Sequence, residues 1–164
     1  NSTTVIDRLR HGAADLGFIE TPAELDGLDE AIVGNDELVT VVAPSHPWAT
    51  PRTVPVEALA ATPLVMREAG SGTRAALAAA LRDLGLGEPS AVLELGSTSA
   101  VRAAVVHGNS PTVISRLAVD AEVVAGQLVE VDVPSLSVAR ELRAVWPTGT
   151  TLQSLASALL DDIG

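Results

Sequence analysis

Apolar residues along this chain form two recurring patterns, short unbroken runs and longer stretches with helical spacing. Unbroken runs are typical of buried strands, and apolar residues at every third or fourth position indicate helices that bury one face. The runs predict strands at residues 15–20, 29–33, 37–43, 64–66, 91–96, 112–115, 128–133 and 141–146. The helical spacing predicts helices at residues 3–11, 56–61, 73–84, 97–107, 118–125 and 150–163. Because strands and helices largely alternate, the pattern favours α/β layers with mostly parallel strands.

The most informative stretch is a predicted strand, turn and helix within residues 62–75. The apolar residues 64–66 lead into the turn Gly70-Ser71-Gly72-Thr73, and an Ala/Leu helix follows at once. A helix that begins this way presents free backbone N–H groups and a positive dipole end, which bind anions. Ser71 and Thr73 add hydroxyl donors, although either residue also fits a simple N-cap. The local sequence leaves both roles open.

A second unit of the same kind follows at residues 91–99. Residues 91–96 predict another buried strand, and Ser97, Thr98 and Ser99 open the next helix. Adjacent parallel strands place both helix starts at one edge of the sheet, which is where open α/β sheets bind ligands. The two units together predict a site for a small anion, usually a carboxylate or a phosphate.

The same turn allows an alternative interpretation. Residues 70–75 fit the dinucleotide fingerprint G-x-G-x-x-A, and Glu94 lies where a ribose-binding acid is expected, so an NAD(P)-dependent oxidoreductase is an alternative. Arg67 and Arg74 flank the turn and fit a ligand carboxylate, although surface solvation is the stronger interpretation for Arg74.

Composition narrows the function classes. The chain has 164 residues, 47% of them hydrophobic, which suffices for one ordinary domain or two small lobes. Its net charge of −11 and the lack of any basic run disfavour nucleic-acid binding by this chain alone. The absence of Cys excludes disulfides and Cys-based metal or redox sites. No apolar stretch approaches the roughly 20 residues that span a membrane, and no signal peptide is visible.

Catalysis and metal binding find little support in the sequence. The histidines His11, His46 and His107 are far apart and lack metal-ligand spacing, so we interpret them as structural. No serine lies in G-x-S-x-G, and no convincing general base or nucleophile accompanies the glycine turns. The sequence therefore predicts no enzyme, no metal site and no cofactor.

Four segments, in this order and spacing, resemble the C-terminal effector-binding domain of LysR-type transcriptional regulators. They are Asn1–Gly12 with the strand at 15–19, then residues 36–47, 63–74 and 93–97. The resemblance implies a two-lobed, periplasmic-binding-protein-like (type 2) α/β fold, with three-layer lobes joined by two crossover strands. It implies a first lobe of residues 1–43 and 144–164 and a second lobe of residues 44–143. It also implies that the first lobe is N-terminally incomplete and that a winged helix-turn-helix domain is missing.

The resemblance places an effector between the lobes and implies its contacts. The implied effector-binding residues are Ser71, Gly72, Thr73, Ser97, Thr98, Ser99, Glu20, Thr21 and Asn109. Asn109 and Ser110 make one wall more polar than the glycine-rich, aliphatic turn usual in the family. The implied partners are a small organic anion, a second copy in a homodimer or tetramer, and DNA only through the missing domain. The implied location is cytoplasmic, and a periplasmic solute-binding protein of the same fold is the first alternative.

Overall fold

The computed structural model describes residues 1–150, and the predicted helix at 150–163 lies outside them except for its first residue. Five α-helices lie within this part of the chain: α1 Ser2–Arg10, α2 Val56–Ala61, α3 Gly72–Asp83, α4 Thr98–His107 and α5 Arg116–Val124. A single 3-10 turn, Pro47–Ala49, precedes α2. The strands are β1 Gly17–Ile19, β2 Leu28–Val42, β3 Leu64–Arg67, β4 Ala91–Leu95, β5 Thr112–Ser115, β6 Val129–Val131 and β7 Val138–Pro147.

Two long strands cross the molecule side by side. β2 pairs antiparallel with β7 from Leu28 opposite Pro147 to Leu38 opposite Val138, with a register shift between Ile32 and Gly34. The two strands predicted at 29–33 and 37–43 are therefore one continuous strand. The polar residues between the two predicted segments do not end the strand, because a β-bulge accommodates the register shift and pairing with β7 continues on both sides of it.

Strand directions differ from the expectation of a mostly parallel fold. β2 lies between β7 and β5, β1 extends the sheet beyond β7, and β6 also pairs with β2. All of these pairings are antiparallel, and among the strands within residues 1–150 only β3 and β4 form a parallel ladder. Alternation predicts parallel neighbours only where a helix connects consecutive strands, as α3 does here. β2 instead lies in the interior of the sheet, and its partner strands come from distant parts of the chain.

The prediction that residues 91–96 form a buried strand is wrong in its burial. β4 forms, but residues 91–94 are exposed, and Val92 and Leu93 retain 57% and 44% of their surface. Within residues 1–150, β4 pairs with β3 alone, so its other edge is open. An apolar run indicates a strand but does not reveal whether a neighbour covers it.

The core consists of helices packed on both faces of the sheet. In β2, Leu38 and Val42 join one apolar cluster with Leu59, Leu77 and Leu81, the helical residues of α2 and α3. Val39 and Val41 point to the opposite face, because side chains alternate along a strand. There they join the cluster formed with α4 and α5. This arrangement produces three layers, a helix layer on each side of the sheet.

A third apolar cluster surrounds the start of the chain. Ile6 and Leu9 of α1 pack against Ile19, Leu28 and Val145. These residues show the one-sided burial predicted for the first helix, which begins at Ser2 with Asn1 as its N-cap. Within residues 1–150 no helix is both long and apolar enough to cross a membrane.

Candidate functional site

The two predicted helix starts lie at the same edge of the β3–β4 ladder. β3 and β4 run parallel, with Met66 opposite Glu94 and Arg67 opposite Leu95. α3 and α4 therefore both begin beyond the carboxyl ends of neighbouring strands. This is the geometry predicted from the two strand–turn–helix units, and it aims two helix N-termini in the same direction.

The start of α4 is connected to the end of β3 by an arginine. Ser97 is the N-cap, and its hydroxyl accepts a hydrogen bond from the backbone N–H of Ala100 at 3.2 Å. Its Oγ also lies 3.2 Å from Oγ of Ser99. Arg67 donates from Nη1 to Oγ1 of Thr98 at 2.8 Å. A guanidinium thus lies beside the hydroxyls and the positive end of α4.

The carboxylate of Glu68 binds the other two nitrogens of the Arg67 guanidinium. Nε and Nη2 of Arg67 donate to Oε2 and Oε1 of Glu68 at 2.8 and 3.0 Å. Asn1, the N-cap of α1, donates from Nδ2 to the same Oε1 at 3.0 Å. The hydrogen bond from Arg67, aided by that from Asn1, lowers the pKa of Glu68 to about 2. This carboxylate is therefore ionised at neutral pH and joins the turn after β3 to the start of α1.

The start of α3 is packed against the rest of the molecule. Ser71 is its N-cap and is buried, but its side chain makes no capping hydrogen bond. A Cβ added at Gly72 would lie 2.6 Å from the carbonyl oxygen of Glu20 and 2.9 Å from Oγ of Ser2. Gly72 is thus required for close contact between α3 and the chain that follows β1.

The hydroxyl of Thr73 has a partner that sequence reasoning missed. Arg140 of β7 donates from Nη1 to Oγ1 of Thr73 at 3.0 Å and lies 2.8 Å from Oε2 of Glu20. Its Nε and Nη2 donate to Oδ2 of Asp36 on β2 at 2.9 and 2.6 Å. The side chains of Arg140 and Asp36 are 7% and 1% exposed. A buried cation therefore lies directly beside the start of α3.

The sequence carries a weak signal for this cluster. Asp36 interrupts β2 just before an apolar run, and it faces Arg140 directly in the β2–β7 register. Asp36 and Arg140 each lie one residue before a predicted strand, at 37–43 and 141–146, and opposite charges on neighbouring strands suggest a cross-strand pair once the register is known. Because residues 36 and 140 are distant in sequence, the register could not be obtained from the chain alone.

Glu20 and Thr21 border a cavity of about 650 Å³ between α3 and β7. Arg143 lines it too, and its guanidinium donates to the backbone carbonyl of Thr21 and to Oε2 of Glu30, the latter at 2.7 Å. The structure therefore brings Glu20 and Thr21 close to Ser71, Gly72 and Thr73. Of the three hydroxyl residues at the start of α4, Thr98 is hydrogen-bonded to Arg67, and Ser97 and Ser99 contact each other beside it. Asn109 is exposed in the loop after α4, at the opposite end of that helix from Ser97.

The other candidate residues occupy structural positions. His11 follows α1, with Nδ1 2.7 Å from the carbonyl oxygen of Asp7, and His107 is the last residue of α4. Nδ1 of His46 accepts from the backbone N–H of Trp48, and burial lowers the pKa of His46. Within the described range 1–150, no group of three or more His, Asp or Glu side chains is placed so that it could hold a metal ion.

Glu94, the acid that the dinucleotide alternative requires, is not free. It forms an ion pair with Arg74, whose Nη1 also donates to the carbonyl oxygen of Arg67 at 3.3 Å. A ribose hydroxyl would have to compete with that charged partner for the carboxylate.

Comparison with known sequences gives a consistent result. Residues 1–163 match the family described as the LysR substrate binding domain. The chain is 50% identical over 156 residues to an uncharacterized HTH-type transcriptional regulator of Mycobacterium tuberculosis. That alignment covers 92% of this chain and 50% of the regulator. The chain thus spans about half the length of the curated relatives that it matches.

Comparison with solved structures identifies the fold. The regulatory domain of CcmR from Synechocystis PCC6803, solved in complex with 2-PG, superposes with a TM-score of 0.86 at 26% identity, covering 99% of this chain and 78% of that one. The effector binding domain of QuiR in complex with shikimate gives 0.82 at 15% identity, covering 99% and 75%, which supports the fold alone. The fold is therefore the predicted periplasmic-binding-protein-like (type 2) one, and the family is one of ligand-binding domains of regulators, not of enzymes. This chain belongs to the LysR substrate binding domain family, the effector-binding domain of LysR-type transcriptional regulators.

Proposed function

We propose that this chain senses a small organic anion where α3 and α4 begin, and thereby modulates DNA binding by a helix-turn-helix domain outside it. The observation that carries the proposal is Arg67, 15% exposed and hydrogen-bonded to Thr98 at the start of α4. A guanidinium, hydroxyls and helix N-termini at one edge form an environment suited to a carboxylate or phosphate. The neighbour solved in complex with 2-PG supports a small-molecule effector.

We propose lobes of residues 1–43 with 144–164 and of residues 44–143, with the effector in the cleft between them. The separate apolar cluster around α1 supports this division. The end of β2 packs instead with α2 to α5 in the two larger clusters, which fits a strand that crosses from one lobe to the other. β2 and β7 then form the crossover about which the lobes move. A ligand shifts such an equilibrium only if it binds one lobe arrangement better than the other.

The remaining partners follow from the relatives. The relatives are named HTH-type transcriptional regulators and are about twice the length of the aligned region. They support DNA binding by a separate domain, and with it a cytoplasmic location beside DNA. We propose self-association as a homodimer or tetramer through α1 together with a strand and helix of the second lobe.

Calorimetric titration tests the anion site. The ligands are a panel of small carboxylates and phosphorylated acids that includes 2-PG and shikimate. Thr98→Val keeps the shape of the side chain and removes the hydroxyl. Ser99→Ala removes an exposed hydroxyl and its contact with Oγ of Ser97, but it leaves Ser97 and its capping hydrogen bond from Ala100 in place. Each should weaken the binding anion by about 1.5–3 kcal/mol if its hydroxyl contacts the charge. Ser45→Ala, exposed and distant in sequence, is the control. Unchanged affinity in both variants would exclude this placement, and no binding by any anion would refute the proposed ligand class.

A further inference from the structure

Arg67 presents its guanidinium at the edge where the proposed effector binds, and that guanidinium is already occupied. Two of its nitrogens hold the two carboxylate oxygens of Glu68 side by side, at 2.8 and 3.0 Å. This parallel arrangement is the one in which an arginine recognises the carboxylate of a ligand. Glu68 is the next residue along the chain, so this carboxylate is always at hand.

The carboxylate of Glu68 also interacts with the opposite side of the proposed cleft. Asn1 at the start of α1 donates to Oε1 of Glu68 at 3.0 Å and to the carbonyl oxygen of Ala69 at 3.4 Å. The backbone N–H and the hydroxyl of Thr3 both donate to the carbonyl oxygen of Gly70 at 3.3 Å. The positive end of α1 therefore faces the turn that carries Glu68.

A protein carboxylate between an arginine and a helix N-terminus has the surroundings that suit an anionic ligand. We propose that Glu68 is an internal competitor of the effector: its carboxylate occupies the Arg67 guanidinium until the anionic group of the effector displaces it. This inference rests on the proposed function and identifies which side chain sets the affinity of that site. Displacement would also break the Asn1–Glu68 hydrogen bond, and so would change one contact between α1 and the turn after β3.

The same arrangement predicts a selectivity. Because the competitor is a carboxylate attached to the chain, its effective concentration is high, and a weakly bound monovalent anion displaces it poorly. An anion with more than one charged oxygen group gains additional contacts at the two helix starts. The inferred effector class is therefore organic acids that carry a second anionic or hydroxyl group, rather than simple monocarboxylates.

Charge removal at Glu68 tests the inference. Glu68→Gln keeps the side-chain length and a hydrogen-bonding oxygen but removes the charge that competes for Arg67. Titrating the full chain with acetate, inorganic phosphate, 2-PG and shikimate should show affinity raised about tenfold or more for any anion that binds, since a charge-assisted pair is lost from the free protein. Acetate should gain most relative to its affinity for the unchanged protein.

Two further variants separate competition from other effects. Glu94→Gln removes the same charge from another arginine pair beside α3, so it measures the general effect of one fewer negative charge. It should change affinity by about twofold or less, because exposed charges are screened. Arg67→Met combined with Glu68→Gln should abolish the gain.

The outcomes distinguish this inference from the function on which it rests. If the unchanged protein binds one of these anions and Glu68→Gln gains no more than Glu94→Gln, competition is wrong and the anion site stands. An equal gain in the Arg67→Met double variant would also overturn competition. If neither the unchanged protein nor Glu68→Gln binds any of the anions, the proposed function fails and this inference fails with it. Binding that appears only in Glu68→Gln supports competition directly.

Discussion

Arg140 and Asp36 are opposite charges buried on the two crossing strands. Their side chains are 7% and 1% exposed, and Oδ1 of Asp36 has no hydrogen-bond partner within residues 1–150. A buried pair contributes little net stability relative to apolar residues of similar size, but removing one member leaves the other charge unpaired. Arg140 also contacts Thr73 and Glu20, so the pair fixes how α3 and the chain after β1 meet the crossing strands.

Replacing Arg140 by Met should therefore destabilise the protein by about 3–5 kcal/mol, the cost of leaving a buried charge uncompensated. Urea denaturation measures the change. Arg82→Met is the matched control, because the Arg82–Glu88 pair is well exposed and such pairs contribute about 0–1 kcal/mol. Adding Asp36→Leu to Arg140→Met should restore most of the loss. A double variant as unstable as Arg140→Met alone would show that the missing charge is not the cause.

Glu68 gives the stability a dependence on acid pH. Its pKa falls from an ordinary 4.5 to about 2 in the folded protein, chiefly because of Arg67 and Asn1. A carboxyl whose folded pKa is lowered stabilises the fold above its unfolded value, and this contribution disappears as the pH falls from 4.5 to about 2. Glu68→Gln should be less stable than the unchanged protein at pH 7, and the difference should shrink below pH 4.5. Denaturation series at several pH values measure this, and parallel curves for the two proteins would contradict it.

At the scale of elements, local patterns predicted most helices and strands but not their neighbours. The predicted helix at 56–61 coincides with α2, and the helix at 73–84 differs from α3 by one residue at each end. These elements depend on nearby residues, so their periodicity is visible in the sequence. The bulge that keeps β2 continuous and the open edge of β4 depend on partners far along the chain. The role of Arg140 at the start of α3 was missed for the same reason.

The contact of α3 with the chain after β1 should depend on Gly72. In Gly72→Ala the new Cβ would lie 2.6 Å from a backbone oxygen of Glu20, which cannot rotate away. Overpacking of this kind costs about 1–3 kcal/mol, and thermal or urea unfolding should show it. Gly87→Ala is the control, since nothing lies within 4 Å of its added Cβ, and its stability should stay within about 1 kcal/mol. Similar stabilities of the two variants would mean that α3 is free to shift.

At the scale of the whole molecule, the surface combines a strong negative charge with local apolar exposure. The chain carries a net charge of −11, which favours solubility and opposes close approach of two copies. Against this background, Val92 and Leu93 are 57% and 44% exposed on β4, whose outer edge has no strand partner within residues 1–150. An apolar strand edge is a site at which another chain pairs readily, and it outweighs diffuse repulsion when contact is direct.

Self-association of the chain should therefore depend on β4. Val92→Lys places a charge on the open strand, a substitution of the kind by which natural edge strands prevent pairing. The dissociation constant between copies should rise about tenfold or more, the factor that corresponds to 1.4 kcal/mol. Light scattering over a range of protein concentrations measures this as a shift toward the mass of a monomer. Leu117→Lys is the matched control, because Leu117 is an apolar residue that is 68% exposed on α5. If the unchanged chain is a monomer throughout, or if both variants lower its mass equally, β4 is not the surface through which copies of this chain meet.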